Sequence, residues 1–234
     1  ATTRIGKPGE DALAERIRKL QPDGVLVRHF GALMRCRTWL REGDRLLLHR
    51  DFSLNATNSL TARYLLQQGL TTITASFDLD EAQLMAMLEH VPGSRLAVVA
   101  HHRIPTFHTE HCVYSHLLSA GRDFRSCGRP CERHQVALRD HTGAQHPVIV
   151  DVGCRNTVFH HAGQQSAQWA PALLARGVRY VTVHGELMRE GEYQRMIAAI
   201  DARPNDFRLI SRRPWHHSEI SLYYFFPGAG GRRP

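Results

Sequence analysis

The sequence predicts an α/β fold built on parallel strands, and three observations carry that reading. Short aliphatic and β-branched runs alternate with amphipathic helical segments along most of the 234 residues. Gly, Pro and Asp punctuate the changes from one period to the other. The alternation stops once, between Phe107 and Asn156, where four of the five cysteines gather. Strands alternating with helices imply crossover connections and a parallel sheet.

In order, Leu13, Ile17 and Leu20 repeat at helical spacing, and Pro22-Asp23-Gly24 makes a turn into a buried strand at Val25, Leu26 and Val27. A helix follows over 30–40, then a strand over 45–54 that ends in polar Asp51, Ser53 and Asn55. Residues 59–68 read as a helix capped by Gly69. Residues 71–77 are β-branched and strand-like. A helix over 80–90 starts at Asp78 or Asp80 as its cap, and a fourth strand covers 95–100. Beyond the cysteines come a strand at 147–152, a helix at 164–176, a strand at 178–183, a helix at 190–202 and a short strand at 207–210. About seven strands lie near the eight of a (β/α) barrel. A doubly wound open sheet competes, although no GxGxxG follows the first strand, which disfavours its dinucleotide form. Residues 1–210 are expected to form one barrel-like domain with a Cys-rich insertion at 102–146. Residues 211–234, rich in Arg, Pro and Gly, are expected to be a poorly ordered tail.

Hydrophobic residues make up 42% of the chain, enough for an ordinary core. The net charge of +8 suits nucleic acid or another anionic partner. No apolar run is long enough to span a bilayer, and the polar start carries no secretory signal. An odd cysteine count without an export signal argues against a disulfide framework and for a reducing, cytoplasmic setting. The chain has no initiator Met and is expected to be a piece of a longer one.

Cys127-Gly-Arg-Pro-Cys131 sets two thiols across a tight loop, Cys112 lies upstream, and Cys154 follows the strand-like VIVDVG. Soft sulfur ligands from separated loops suit zinc or an iron–sulfur cluster. Zinc sites usually use two close pairs, and here only one pair exists, which leans toward a cluster. The plain alternative is four buried, inert cysteines. Cys36, inside the helical LMRCRTWL, fits packing. Among the 16 histidines, His101, His102, His108, His111, His116 and His134 lie in or beside this stretch. His108-Thr-Glu110-His111 matches neither HExxH nor HxxEH, and no GxSxG is present, so no hydrolytic arrangement is specified. His108, Glu110 and His111 are read as catalytic groups that position substrate or move protons. Arg129 and Arg155, beside the cysteines, are read as tuning the centre's potential or, with Asn156, as binding an anionic substrate. Asp51 and Asp151, at strand ends, line the active face or cap loops.

The segments FHTEHCVYS, CGRPCERHQVALRD and HPVIVDVGCRNTVF closely resemble peptidase family U-32, the collagenase-like peptidases. DFSLNATNSLTARYLLQQG resembles that family's upstream barrel strand and helix. The resemblance runs from about residue 14 to residue 176. It implies a TIM-barrel-like domain, incomplete at its N-terminus because the family has more chain there. It also implies a 4Fe–4S cluster on Cys112, Cys127, Cys131 and Cys154, with zinc as runner-up. Characterised relatives carry out oxygen-independent hydroxylation of transfer RNA, ribosomal RNA or a ubiquinone precursor, and older members were labelled proteases. The expectation is an iron–sulfur hydroxylase acting on RNA, with a small-molecule oxygen donor and an electron donor as further partners. A peptidase and a metal-stabilised, non-catalytic RNA-binding protein are the alternatives. Ser115 stands where close relatives often carry another cysteine, which leaves the set of four intact.

Overall fold

The structure is a computed structural model. It describes residues 1–121, 123–151 and 153–184, and the backbone at 191, 194–195, 198, 208–209 and 221–225. The helix expected over 190–202 falls largely outside the described residues.

The first half alternates as the hydrophobic periods require: α1 (Asp11–Lys19), β1 (Gly24–Val27), α2 (Phe30–Arg41), β2 (Leu47–Arg50), α3 (Ser59–Gln67), β3 (Ile73–Thr74), α4 (Glu81–Leu88) and β4 (Leu96–Thr109). Side chains at helix starts supply acceptors for the unpaired backbone N–H groups. His29 Nδ1 accepts from Ala32 N at α2, and Asn58 Oδ1 from Thr61 N at α3. At α4 the cap is Asp80, in a reciprocal capping box with Gln83. One strand face, with Val25, Val27, Leu48, Ile73 and Val98, packs on Leu33, Cys36, Trp39, Leu65 and Met87 of the helices. Cys36 is fully buried, and burial pushes its thiol up to about 11, so it packs and does not react. Inside, Arg28 Nε donates to Asp51 Oδ2 at 2.8 Å, and Asp51 Oδ1 caps the turn after β2 by accepting from Phe52 N.

The second half is antiparallel around the cysteines: α5 (Val113–Leu118), β5 (Val136–Arg139), β6 (Gln145–Val150) and β7 (Asn156–Gln165). It then returns through α6 (Ala170–Ala175) to β8 (Tyr180–His184), with β9 (Arg208–Leu209) and β10 (Ser221–Phe225) beyond. The run 221–225, expected to belong to an unordered tail, pairs antiparallel with β8.

β1 pairs parallel with β2, β3 with β4, and β4 with β8, and a bridge at His49–Thr72 links β2 to β3. Those five strands therefore follow chain order, as barrel walls do. The α/β class stands, but the described residues close no barrel. The main sheet runs β5-β6-β7-β4-β8-β10-β9, and only part of it is parallel. The expected strand at 147–152 is β6, an antiparallel partner of β5 and β7. Alternation in sequence cannot reveal direction where a hairpin replaces a helical crossover. β4 also runs to Thr109 where a strand ending at Ala100 was expected. Its first residues lie in the parallel sheet, while 101–109 pair antiparallel with β7. This one long strand carries the cysteine module, so the insertion is framed by strands, while α5 and the loops its composition suggested fill 110–135.

Two histidines make the parallel half acid-sensitive. His29 caps α2 through an unprotonated Nδ1, and His49 Nδ1 contacts Thr72 Oγ1 at 2.8 Å. Burial lowers both from 6.5. The native state thus holds fewer protons than the unfolded chain below that value. Their stabilising contribution is complete above about 6.5 and is lost as pH falls toward the folded values. Urea midpoints are expected to drop between about pH 7 and about pH 5.5, and His49→Gln is expected to flatten part of that drop.

Candidate metal centre

Each of the four cysteines is placed by its own local device. Cys112 is the residue before α5, and its carbonyl accepts from His116 N. Asp123 nucleates the loop to Cys127: its Oδ1 accepts from the N–H groups of Arg125 and Ser126, and its carbonyl accepts from Cys127 N at 2.9 Å. Gly121 lets that loop close, because a Cβ there would lie 2.2 Å from the Ser126 carbonyl oxygen. Between Cys127 and Cys131, Gly128 and Arg129 are both left-handed, at φ 66° and 50°. This tight bend is followed by a single 3-10 turn at Pro130–Glu132. Cys154 itself sits at φ 61°, a conformation that disfavours any residue with a Cβ. Asp151 imposes it, its Oδ1 accepting from both Gly153 N and Arg155 N while its carbonyl accepts from Cys154 N. Strain of this kind is held where a side chain must be aimed.

Two of the four share a core. Cys112 and Cys131 both pack against the small core of Tyr114, Val148 and Val158. All four are free thiols and partly buried. Burial raises Cys154, and the negative charges of Cys112, Cys127 and Cys131 raise it further. Cys131 is raised by burial, then by Cys112, Glu132 and Cys127. The four sulfurs therefore lie within electrostatic reach of one another. Among the described residues no three ligating side chains already meet at a single ion.

Two buried residues tie the module together. Asn156, 2% exposed, accepts from Val113 N through Oδ1 at 2.8 Å and donates from Nδ2 to the Cys154 carbonyl at 3.3 Å. It thereby joins the start of α5, beside Cys112, to the Cys154 turn. Tyr114 donates its hydroxyl to the Val148 carbonyl and accepts from Val136 N. Nothing in the sequence pattern singles out Tyr114, whereas Asp123-x-x-Ser126 is a readable turn signal. Asn156→Ala leaves Val113 N without its acceptor. It is expected to lower stability by about 1–3 kcal/mol, read from urea midpoints, and to weaken any centre the thiols hold.

Arg155 is also buried at 2% exposure. Its guanidinium donates to Glu10 Oε1, to Glu110 Oε1 at 3.2 Å and to the Ile5 carbonyl at 3.4 Å, with Asp151 Oδ2 at 3.8 Å. Glu110 also pairs with Lys7, and the two cations lower its pKa, Lys7 most. Both residues thus clamp the N-terminal segment over the Cys154 turn. Arg129 is open to solvent at 69%, paired only with Glu132 at 3.1 Å among the contacts described. His111 is exposed, edge-on to His116 with ring centres 5.1 Å apart. His108, on β4, contacts Thr157 Oγ1 through Nδ1 at 2.8 Å, and its buried Nε2 has no partner among the described residues. Burial lowers its pKa. Arg4 and Arg155 act in the same direction, and Asp151 and Glu110 oppose them. His108 is therefore a neutral imidazole with one uncommitted nitrogen beside the Cys154 turn.

Fold and site together define an α/β protein with four free, partly buried cysteines on an antiparallel module and its loops. The chain belongs to peptidase family U32, whose family model matches residues 10–203. Comparison with curated proteins and with solved structures finds no match. No helix among the described residues is long and apolar enough to cross a membrane.

Proposed function

We propose that the chain is an iron–sulfur protein of the oxygen-independent hydroxylase type that acts on RNA, with Cys112, Cys127, Cys131 and Cys154 holding a 4Fe–4S cluster. What supports this reading is four free, partly buried thiols carried by three loops of one module, Cys112 and Cys131 on a shared core and Cys154 on a strained backbone. Thiolates that feel one another's charge are stabilised by a cationic centre between them, and soft sulfur donors suit iron. Such a cluster supplies one-electron transfer. His108, neutral and with a bare Nε2, accepts a proton next to the site. Arg129, on the surface of the cysteine loop, meets an anionic substrate. The basic balance of the chain, +8, fits a polyanion. Free thiols of this kind suit a reducing compartment such as the cytoplasm.

Proteolysis is the rival reading, and the family name favours it. Burial raises the thiols of Cys36, Cys131 and Cys154, which disfavours those three as nucleophiles. Glu110, the carboxylate of the HTEH run, is held ionised between two cations.

Anaerobic purification followed by iron and acid-labile sulfide assays tests the cluster, with roughly four of each expected per chain. A colourless protein carrying one zinc and no sulfide would overturn it. Mass spectrometry of nucleosides from cells with and without the gene tests the substrate, and an unchanged nucleoside profile would sink the RNA reading.

A further inference from the structure

A second group of ligating side chains lies at the other end of β6 from the Cys154 turn. β7 contains an irregularity there. Between the pairs Arg103–Gly163 and Pro105–Phe159, β7 spends four residues where β4 spends two. Consecutive residues of a regular strand point to opposite faces. The bulge cancels that alternation, so the adjacent rings of His160 and His161 lie side by side with centres 4.3 Å apart. Arg103 donates to the carbonyls of His160 and His161 and supports the bulged backbone. His146 of β6 completes a triangle, its ring centre 5.5 Å from His160 and 5.4 Å from His161. Bulges commonly re-aim side chains in this way.

We propose that His146, His160 and His161 form a binding site for one divalent transition-metal ion of the zinc class, with Asp140 orienting His146. Three imidazoles on one tetrahedral ion, with metal–nitrogen bonds of about 2.0–2.1 Å, have ring centres about 5 Å apart. The observed spacings bracket that value. Asp140 Oδ2 contacts His146 Nε2 at 3.0 Å, which leaves Nδ1 for the metal in the carboxylate–histidine–metal pattern. Its other oxygen is held by Thr142 N, Thr142 Oγ1 and Ala144 N, so the carboxylate is fixed. His160 Nδ1 lies 3.2 Å from Ala162 N and 3.3 Å from the Ala162 carbonyl; metal binding through Nε2 selects the tautomer in which Nδ1 donates to that carbonyl. Closure requires the rings to turn about their χ angles, since no three ligating atoms meet at an ion among the described residues. His161 is exposed and His146 and His160 are partly so, which permits that rotation.

The site is independent of the cysteine reading, and the test separates the two. The full chain, purified anaerobically, is titrated with Zn²⁺ by calorimetry and with Co²⁺ by absorption. It is compared with the His160→Gln/His161→Gln double variant and with Asp140→Asn. One equivalent is expected whose cobalt spectrum lacks the intense bands of sulfur ligation. That equivalent disappears in the double variant and binds about 10–100-fold more weakly in Asp140→Asn. The asparagine keeps the turn-capping oxygen, so its effect does not come from unfolding, and circular dichroism checks this. Equal binding in the wild type and the double variant, sulfur bands on all bound cobalt, or an affinity indifferent to Asp140→Asn overturns the proposal.

Discussion

Cys127→Ser is expected to abolish retention of iron and sulfide by the anaerobically purified chain. Cys127 sits on a loop set by Asp123 and closed by Gly121, so serine fits the same backbone. The hydroxyl is a hard, neutral donor and does not replace a thiolate on iron. Three thiols remain, and one iron site is left without its protein ligand. Cys36→Ala is the control: Cys36 lies in the helix–sheet core and is expected to leave the metal content unchanged while lowering stability modestly. Unaltered iron and sulfide in Cys127→Ser would mean that the four thiols do not act as one ligand set. Loss of iron in Cys36→Ala at unchanged fold would point the same way.

Arg155→Ala is expected to have the largest effect on stability, about 3 kcal/mol or more. The guanidinium is 2% exposed and serves Glu10, Glu110 and Asp151 at once. Removing it leaves three carboxylates facing one another without their shared cation, two of them partly buried. Glu110 is half exposed, so water relieves part of its share. Arg155→Lys is expected to rescue little, because one ammonium cannot reproduce a fork that engages separate partners. A shift of the urea midpoint measures the loss. Hydrogen exchange is expected to localise it to residues 1–10 and the Cys154 turn. A variant as stable as the wild type, with residues 1–10 equally protected, would show that the clamp contributes nothing.

Those two residues illustrate how differently the sequence speaks. The cysteines were legible because their chemistry is rare and their spacing local, as in Cys127-Gly-Arg-Pro-Cys131. Arg155 and Asn156 stood out only as neighbours of Cys154 and were expected to meet substrate. The structure buries both and commits them to the protein's own backbone and carboxylates, with partners as distant in sequence as Glu10 and Val113. Glu110 likewise pairs with Lys7, more than a hundred residues away. No local pattern announces such a contact.

By itself the sequence determined the α/β class, the order of the first four strands and their helices, and the packing role of Cys36. These depend on hydrophobic period, turn residues and residue chemistry, all of which act over a few neighbours. Only the tertiary structure decided that β6 runs antiparallel, that β4 continues into the cysteine module, that the described strands close no barrel, and that two adjacent histidines share a face. Strand direction, register and bulges are set by which distant segment supplies the hydrogen-bonding partner, and that choice is made when the chain packs.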